Sequence, residues 1–362
     1  MGGEAGFWRG RRVFITGHTG FKGIWMVFLL AQLGARIYGY ALAPPTIPCL
    51  FDSAEIEQDL ESHVIGDVRD ALALARAIKS AEPEIIFHLA AQPLVLPSYD
   101  DPIGTYATNV MGAVHLLDAV RGAGSVRAVV NVTSDKCYEN QGWLWGYREN
   151  EPMGGRDPYS NSKGCAELVT AAFRHSFFVS GSPTAIATAR AGNVIGGGDW
   201  APSRLIPDLV AAFLAGRPAT IRRPGAIRPW QHVLDPLEGY LLLAEALCRD
   251  GAAYADGWNF GPSIEEAWPV SRLTECMAAL WGEGACWVDT SEQGQQPHEE
   301  HTLMLDCSKA RSRLGWTPSW GIEKALAHTI AWYRLHARGG NVRELMLEQV
   351  SAYNHARAMG KG

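Results

Sequence analysis

A glycine triplet near the start of the chain constrains the fold more than any other feature. Gly17, Gly20 and Gly23 form a GxxGxxG turn between the β-branched run VFIT and an apolar segment with helical spacing, residues 21–33, which ends at Gly34. The run RIYGY that follows predicts a second strand. In such a unit the glycines permit a tight turn, a close backbone approach to a pyrophosphate and contact between helix and strand. The sequence therefore predicts a dinucleotide bound at the helix N-terminus.

Other residues of this first unit could contact the same cofactor. His18 and Lys22 in the turn could meet phosphate charge, and they could equally be solvated surface groups. An acid that binds the ribose is expected near the end of the second strand, but YGYALAPPT contains neither an acid nor an arginine. This rule therefore does not decide between NAD and NADP, although the lack of a cation for a 2′-phosphate favours NAD.

The later segments continue the alternation of strand and helix. SHVIGDVRD places Asp67 after a short strand, where it could meet the adenine, and PEIIFHLAAQ reads as a buried strand that ends in small residues. TYATNVMGAVHLLDAV is a predicted helix that carries Asn109, and VRAVVNVTSD is the next strand. Ligands bind at the carboxyl ends of parallel strands. Ser134, Asp135 and Lys136 therefore fall at the predicted site.

Tyr159 and Lys163 form a second polar pair in DPYSNSKG. They are four residues apart, so they share one face of a helix. A lysine cation beside the phenol lowers the pKa of the tyrosine and makes it a usable base at neutral pH. A lone YxxxK is common, but after a dinucleotide turn and a strand that ends in Ser134 it predicts a tyrosine base beside a nicotinamide.

Composition excludes several classes of protein. At about 150 residues per domain, the 362 residues indicate two lobes. The net charge of −6 and the lack of a Lys/Arg-rich run disfavour a nucleic-acid partner. The seven scattered cysteines have no metal-ligand spacing, so we expect no metal and reduced thiols in a cytoplasmic protein. The N-terminus does not resemble a signal peptide, and the run IWMVFLLAQLGA is too short to span a membrane.

Six stretches resemble the extended short-chain dehydrogenase/reductase superfamily of NAD-dependent epimerases and dehydratases: TGHTGFKG, HLAAQ, TNVMG, the serine at the strand end, YSNSK and ARAGNVIGGGDW. AAQPLVLPSY, TSDKCYEN, WGYRENEPMGGRDPYSNSKGCAE and DCSKA are similar to the CDP-glucose 4,6-dehydratases within it. The resemblance implies an α/β fold, a Rossmann-type doubly wound parallel sheet with a smaller mixed α/β substrate-binding lobe. We expect residues 1–190, with 229–260 returning, to bind NAD, and residues 191–228 and 261–362 to form the substrate lobe.

The resemblance also implies a reaction, in which a nucleotide-diphospho-hexose is oxidised at C4, loses water across C5 and C6, and receives the hydride back at C6. Tyr159 would remove the 4-hydroxyl proton, and Ser134 would hydrogen-bond the developing carbonyl. Asp135 suits the acid at C6. Lys136 stands where the better-known dTDP-glucose dehydratases have a glutamate as the C5 base, and a neutral amine is then required. The product would enter deoxysugar synthesis, such as that of lipopolysaccharide O-antigens.

We expect the cofactor to be contacted by the glycine turn, the strand ends, the Asn109 helix and the catalytic pair. This set comprises Gly17, His18, Thr19, Gly20, Phe21, Lys22, Gly23, Asp67, Val68, Leu89, Ala90, Ala91, Asn109, Tyr159 and Lys163. Arg204 and Arg228 suit a diphosphate because guanidinium binds oxyanions bidentately. The resemblance adds Asn193 and Asn259 as substrate contacts. The full substrate set comprises Gln92, Ser98, Asn193, Arg204, Leu205, Arg228, Trp230, Asn259 and His298.

Other functions remain open at this stage. The Asp-Lys order is also similar to inverting UDP-N-acetylglucosamine dehydratases, so the sugar nucleotide could be that one or dTDP-glucose. A nucleotide-sugar 4-epimerase would share the fold but would not need the pair. A non-catalytic NAD-sensing protein usually loses the tyrosine or the lysine, and this chain keeps both. Relatives dimerise through the helix that bears Tyr159, so we expect a homodimer or homotetramer, although its apolar LVTAAF stripe could equally be core.

Overall fold

The structure, a computed structural model, describes residues 6–179, 181–282, 284–291 and 303–359. The strands are β1 Arg12–Thr16, β2 Arg36–Ala41, β3 Ser62–Ile65, β4 Ile85–His88, β5 Ala128–Val132, β6 Ala185–Ala191, β7 Asn193–Ile195, β8 Ala219–Ile221, β9 Ile227–His232, β10 Gly257–Phe260, β11 Ala267–Pro269 and β12 Trp287–Asp289. The α-helices are α1 Phe21–Gln32, α2 Leu50–Ser53, α3 Ala71–Ala81, α4 Val95–Asp100, α5 Pro102–Tyr106, α6 Gly112–Arg121, α7 Pro158–Phe177, α8 Leu205–Leu214, α9 Leu234–Asp250, α10 Val270–Trp281, α11 Ser308–Leu314, α12 Ile322–Ala337 and α13 Val342–Met359. Shorter helical segments are Ile56–Asp59, Ala107–Met111, Asp135–Cys137, Gly251–Ala253 and Ile264–Glu266.

A seven-stranded sheet organises the chain, with the strand order β10-β6-β5-β4-β1-β2-β3. Every neighbouring pair in it is parallel. Alternate side chains of β1 enter opposite layers: Val13 and Ile15 pack with α1 and α9, whereas Phe14 packs with α3 and α6. A sheet that is buried on both faces explains why these strands are continuous apolar runs. The predicted doubly wound α/β fold is confirmed.

A smaller mixed sheet follows the main one. Its order is β11-β9-β7, with β7 parallel and β11 antiparallel to β9, and a separate pair joins β12 to β8. β9 pairs in this small sheet, and only the segment after it, α9 and β10, returns to the main sheet. The two-lobe division drawn at residues 190, 228 and 260 stays a prediction.

One long helical segment, residues 102–121, packs against α7 and α3. It runs through α5 and α6 with a π-helical turn at Ala107–Met111, a distortion that is frequent at functional sites. Asn109 in this turn accepts a hydrogen bond from the Gln92 amide at 2.8 Å and donates to the Ser162 hydroxyl at 2.9 Å. It thereby fixes the end of β4 relative to α7. In the described part of the chain, no helix has both the length and the apolar character that a membrane crossing needs.

Candidate active site

The glycine turn between β1 and α1 is built for close approach. Gly17 has a φ of +75°, and a Cβ atom there would lie 2.6 Å from the Ala90 nitrogen. A Cβ atom on Gly23 would lie 2.0 Å from the Gly17 carbonyl oxygen, whereas one on Gly20 would meet nothing closer than 3.4 Å. The N-terminus of α1 has neither a side-chain cap nor an acid in its first turn. Its amides therefore fit a pyrophosphate anion, as the sequence predicts for NAD.

The unequal space around these glycines yields a prediction. Gly23→Ala forces backbone apart, so we expect it to lower the free energy of unfolding by about 1–3 kcal/mol. Gly20→Ala meets only the Gly17 carbonyl oxygen, at an ordinary contact distance of 3.4 Å, and is expected to cost less than about 1 kcal/mol, the size of an N-cap change. Gly20 is the N-cap residue of α1, where the predicted pyrophosphate would bind, so we expect the added methyl group of Gly20→Ala to weaken NAD binding. Urea unfolding and calorimetric NAD titration of both variants check this, and equal stability losses would contradict it.

The two polar residues of the turn behave differently from each other. His18 is fully buried, and its Nε2 lies 3.1 Å from Nδ1 of His63. Burial, with a smaller effect of His63, lowers the pKa of His18 to about 4, so His18 is neutral and brings no charge to a phosphate. Lys22 instead faces the catalytic centre, since its main electrostatic neighbours include Arg204, Lys163 and Asp135. Burial, with the two nearby cations, lowers the pKa of Lys22 to about 7.

The remaining predicted cofactor residues line the same edge of the sheet. Leu89, Ala90 and Ala91 follow β4 and are partly exposed, and Val68 is buried after β3. The Thr19 hydroxyl donates to the Leu42 carbonyl oxygen at 2.8 Å. The Asp67 carboxylate is ion-paired with Arg69 at 2.5 Å, so an adenine contact would compete with this pair.

The strand end that carries the proposed acid and base is tightly organised. β5 leads into a short 3₁₀ turn in which the Ser134 hydroxyl accepts from the Lys136 amide at 3.2 Å and donates to Asp135 Oδ1 at 2.9 Å. Asp135 is buried, and burial raises its pKa although Lys136, Ser134 and Lys22 act in the opposite direction. A carboxyl with a raised pKa can hold a proton and deliver it to a leaving group.

The helix α7 presents Tyr159 and Lys163 on one buried face. It begins after Asp157, which accepts from the Ser160 amide at 2.9 Å, and Ser98 accepts from the Tyr159 amide at 3.1 Å. Burial raises the pKa of Tyr159 to about 12, and the Ser134 hydroxyl beside the phenol opposes that rise. Burial lowers the pKa of Lys163 to about 8. Ser134, Asp135, Tyr159 and Lys163 are thus brought together, as the sequence predicts.

Cations from two further elements lie near this centre. Arg204 precedes α8 and pairs with the buried Asp199 at 2.9 Å, and its charge is felt by both Lys22 and Tyr159. Arg228 on β9 is buried, and its charge is felt by Asp135. Their convergence suits a doubly charged diphosphate better than a neutral ligand.

Three predicted substrate residues are occupied by contacts within the protein. The Gln92 side chain bonds Leu94 and Thr105, and Ser98 holds the start of α7. Asn259 is fully buried, accepts from the Tyr138 hydroxyl at 2.7 Å and donates to two backbone carbonyls, at Tyr147 and Asp306. These contacts give the three side chains a structural role. Of the other predicted substrate residues, Asn193 and Leu205 are partly exposed and Trp230 is buried, whereas His298 lies outside the described residues.

Sequence reasoning missed Glu167 on α7 and Arg190 on β6, which form a buried ion pair at 2.8 Å. Glu167 lies four residues after Lys163, so the spacing that singles out Tyr159 and Lys163 extends to it. That extended spacing is the signal that could have found Glu167.

Comparison with known proteins agrees with this geometry. Residues 14–329 match the family model described as GDP-mannose 4,6 dehydratase. A CDP-glucose 4,6-dehydratase of Salmonella typhimurium (strain LT2) is 52% identical over 98% of this chain and 99% of its own. A dTDP-glucose 4,6-dehydratase of Xanthomonas campestris pv. campestris is 27% identical over 88% of this chain and 92% of its own.

A solved structure extends the comparison. The dTDP-glucose 4,6-dehydratase DesIV from Streptomyces venezuelae, a double mutant with NAD bound, superposes with a TM-score of 0.75 at 25% identity, over 91% of this chain and 98% of that one. The family match spans most of the chain and includes the glycine turn, the strand-end acid and the Tyr159–Lys163 pair. The chain therefore belongs to the GDP-mannose 4,6-dehydratase family of NAD-dependent epimerases and dehydratases.

Proposed function

We propose that this protein is an NAD-dependent hydro-lyase that converts CDP-D-glucose into CDP-4-dehydro-6-deoxy-D-glucose and water. The observation that carries the proposal is the Asp135–Lys136 pair, which lies directly after β5 and beside Ser134 and Tyr159. A dehydratase needs such a pair in addition to the groups that serve oxidation. The 52% identity to a CDP-glucose 4,6-dehydratase over nearly the whole chain supports the choice of substrate.

The cofactor would be held by the glycine turn, the small residues after β4 and the amides of α1. When bound, NAD⁺ supplies the acceptor for the hydride of C4 and the source of the hydride that C6 receives. The open N-terminus of α1 fits its pyrophosphate, and the absent Cβ atoms of Gly17 and Gly23 allow the turn before that helix to pack closely against Ala90 and against itself. Lys22, in the first turn of α1, lies near Asp135 and Lys163, and its pKa of about 7 leaves it only partly charged at neutral pH.

The chain's own residues account for the proton transfers. Tyr159 takes the proton of the 4-hydroxyl, and the charge of Lys163 one helical turn away favours its phenolate. Ser134 donates to the oxygen at C4 as it becomes a carbonyl. Lys136 removes the proton at C5, which the ketone acidifies, and Asp135 gives a proton to the C6 hydroxyl, which leaves as water. The raised pKa of Asp135 suits that donation.

The substrate's diphosphate would be bound by Arg204 and Arg228, whose guanidinium groups stand on two different elements around the centre. Nothing in these contacts distinguishes cytosine from other bases, so the CDP assignment depends on the close relative. A 4-epimerase is the main rival, because one with 28% identity over 89% of this chain is known from Mycolicibacterium smegmatis. An epimerase leaves the C5–H bond intact and has no use for the Asp135–Lys136 pair.

The test is to incubate the protein and NAD⁺ in deuterated water with CDP-glucose, dTDP-glucose, UDP-glucose and UDP-N-acetylglucosamine in separate reactions. Loss of one water and gain of one solvent deuterium with CDP-glucose alone is the expected outcome, measured by mass spectrometry. The same change with another donor would reassign the nucleotide. Unchanged mass with inverted C4 would make the protein an epimerase, and no turnover of any donor would return it to the NAD-sensing alternative.

We also propose that two copies associate through the face formed by α5, α6 and α7. Ile103 is 83% exposed on this face and Leu168 is 60% exposed, and Met111 lies on it as well. Leu168→Glu is expected to convert a dimer into a monomer, as measured by light scattering after size exclusion, because it buries a charge in an apolar contact. Leu72→Glu on α3, 72% exposed, is the matched control and should leave the mass unchanged. A dimer that survives Leu168→Glu would place the interface elsewhere.

We place the reaction in the cytoplasm. All seven cysteines lie within the described residues and all are free thiols, which is typical of a reducing compartment.

A further inference from the structure

The side of α7 that carries Tyr159 and Lys163 continues into a buried polar cluster. Glu167, one turn after Lys163, is only 5% exposed. Its carboxylate accepts from the Thr133 hydroxyl, from the Thr188 hydroxyl at 2.6 Å and from Arg190 Nη2 at 2.8 Å. Burial would raise the pKa of Glu167, but Arg190 and the two hydroxyl donors hold that pKa below its usual range. The cluster therefore contains a fixed negative charge.

The pKa of Lys163 depends on the Glu167 charge more than on any other charge. Its Nζ has the Val132 carbonyl oxygen at 3.4 Å as acceptor, and among the groups that oppose the effect of burial on its pKa, Glu167 comes first and the Cys137 thiol second. His88 on β4 faces Lys163 but is neutral, because burial lowers its pKa to about 3. Lys22 on α1 also faces Lys163 and is a cation or a neutral amine. Glu167 thus supplies the anion near the buried ammonium.

Arg190 modifies the effect of Glu167 on Lys163. It is buried on β6, and besides Glu167 it donates to the Tyr138 hydroxyl at 2.6 Å and to the Glu149 carbonyl oxygen at 3.0 Å. Arg190 Nη2 donates to the Glu167 carboxylate at 2.8 Å, so the guanidinium compensates part of the negative charge that acts on Lys163.

We propose that Glu167 is a positioning residue for this reaction: its buried carboxylate keeps the Lys163 ammonium charged beside Tyr159, and Arg190 limits that effect by sharing the carboxylate. Glu167 touches neither the sugar nor the cofactor in this role. It acts through Lys163, whose charge lowers the energy of the Tyr159 phenolate. The proposal rests on the proposed function only where it concerns turnover, since the charge of Lys163 can be measured without substrate.

The test uses two substitutions with opposite expected signs. The chain has only seven lysines, so full-length protein labelled with ¹³C at lysine Cε gives few resonances, and Lys163→Met identifies the one required. In Glu167→Gln the carboxylate charge is lost while Arg190 remains, so the pKa of Lys163 should fall by about one to three pH units. In Arg190→Gln the carboxylate is no longer shared, so the pKa of Lys163 should rise. Glu167→Asp keeps the charge and should restore part of the wild-type value.

Two outcomes would overturn the proposal. One is a Lys163 pKa that does not move in Glu167→Gln, and the other is a shift of the same sign in both variants, as general loosening of the core would cause. Where Glu167→Gln alone fails to fold, Glu167→Gln/Arg190→Gln removes both buried charges and should still lower the Lys163 pKa. In Glu167→Gln the fall of kcat on CDP-glucose with rising pH should begin at a lower pH than in the wild-type protein. An inactive wild-type protein would contradict the proposed function and leave the NMR result intact.

Discussion

Replacing Tyr159 with phenylalanine is expected to lower kcat on CDP-glucose by about 10²- to 10⁴-fold, the usual contribution of a general acid or base. The phenol is the group that the structure places beside Ser134, one helical turn from Lys163 and next to the buried acid Asp135. Burial raises the pKa of Tyr159 to about 12 with Lys163 in place, so the positive charge of a bound nicotinamide is needed as well to make the phenol a usable base at neutral pH. Steady-state rates of product formation measure the effect.

The matched control is Tyr106→Phe, in the helix next to α7. Tyr106 donates to Asn161 Oδ1 at 2.8 Å, so this substitution also removes one hydroxyl and one hydrogen bond near the site. It should change kcat little, because its hydroxyl is already committed to Asn161. The wild-type Tm in both variants would show that neither change unfolds the chain. A Tyr159→Phe enzyme that oxidises the sugar at C4 at the wild-type rate would remove Tyr159 from the base role.

The parts of the fold that the sequence predicts well are those with local causes. The predicted helix over residues 21–33 is α1, Phe21–Gln32, and Gly34 stops it with a φ of +77° that other residues rarely adopt. The glycines, the strand end at Ser134 and the four-residue spacing of Tyr159 and Lys163 are all properties of short segments. Their convergence follows from one rule, that parallel strands end at the same edge.

What the sequence could not predict depends on partners far away in the chain. The neutral state of His18 follows from burial against His63, which is 45 residues away. The role of Asn259 follows from contacts to Tyr138 and to the backbone of Tyr147 and Asp306, which no local pattern indicates. In both cases the residue type was informative, but its environment decided its function.

Separating the acid from the base within the Asp135–Lys136 pair is the most demanding prediction. Lys136→Ala leaves Tyr159 and Ser134 in place, so C4 oxidation should proceed and the reduced nicotinamide should accumulate. Without the C5 base, however, no solvent deuterium should enter C5 and no water should leave, and dehydration should fall by about 10²- to 10⁴-fold. Asp135→Asn keeps the shape of the side chain and an acceptor for the Ser134 hydroxyl, but it cannot deliver a proton.

The two variants should therefore fail at different steps. In Asp135→Asn the C5 proton should still exchange with deuterated water, while loss of water should fall by about 10²- to 10⁴-fold. Mass spectrometry and proton NMR of the recovered sugar nucleotide distinguish exchange from elimination in the same sample. If Lys136→Ala still exchanges C5, another amine is the base, and of the two buried lysines Lys22 and Lys163 the first has the lower pKa, about 7 against about 8. Lys22→Met would then abolish exchange, because a lysine that is partly neutral at physiological pH can accept the proton only while its amine is present.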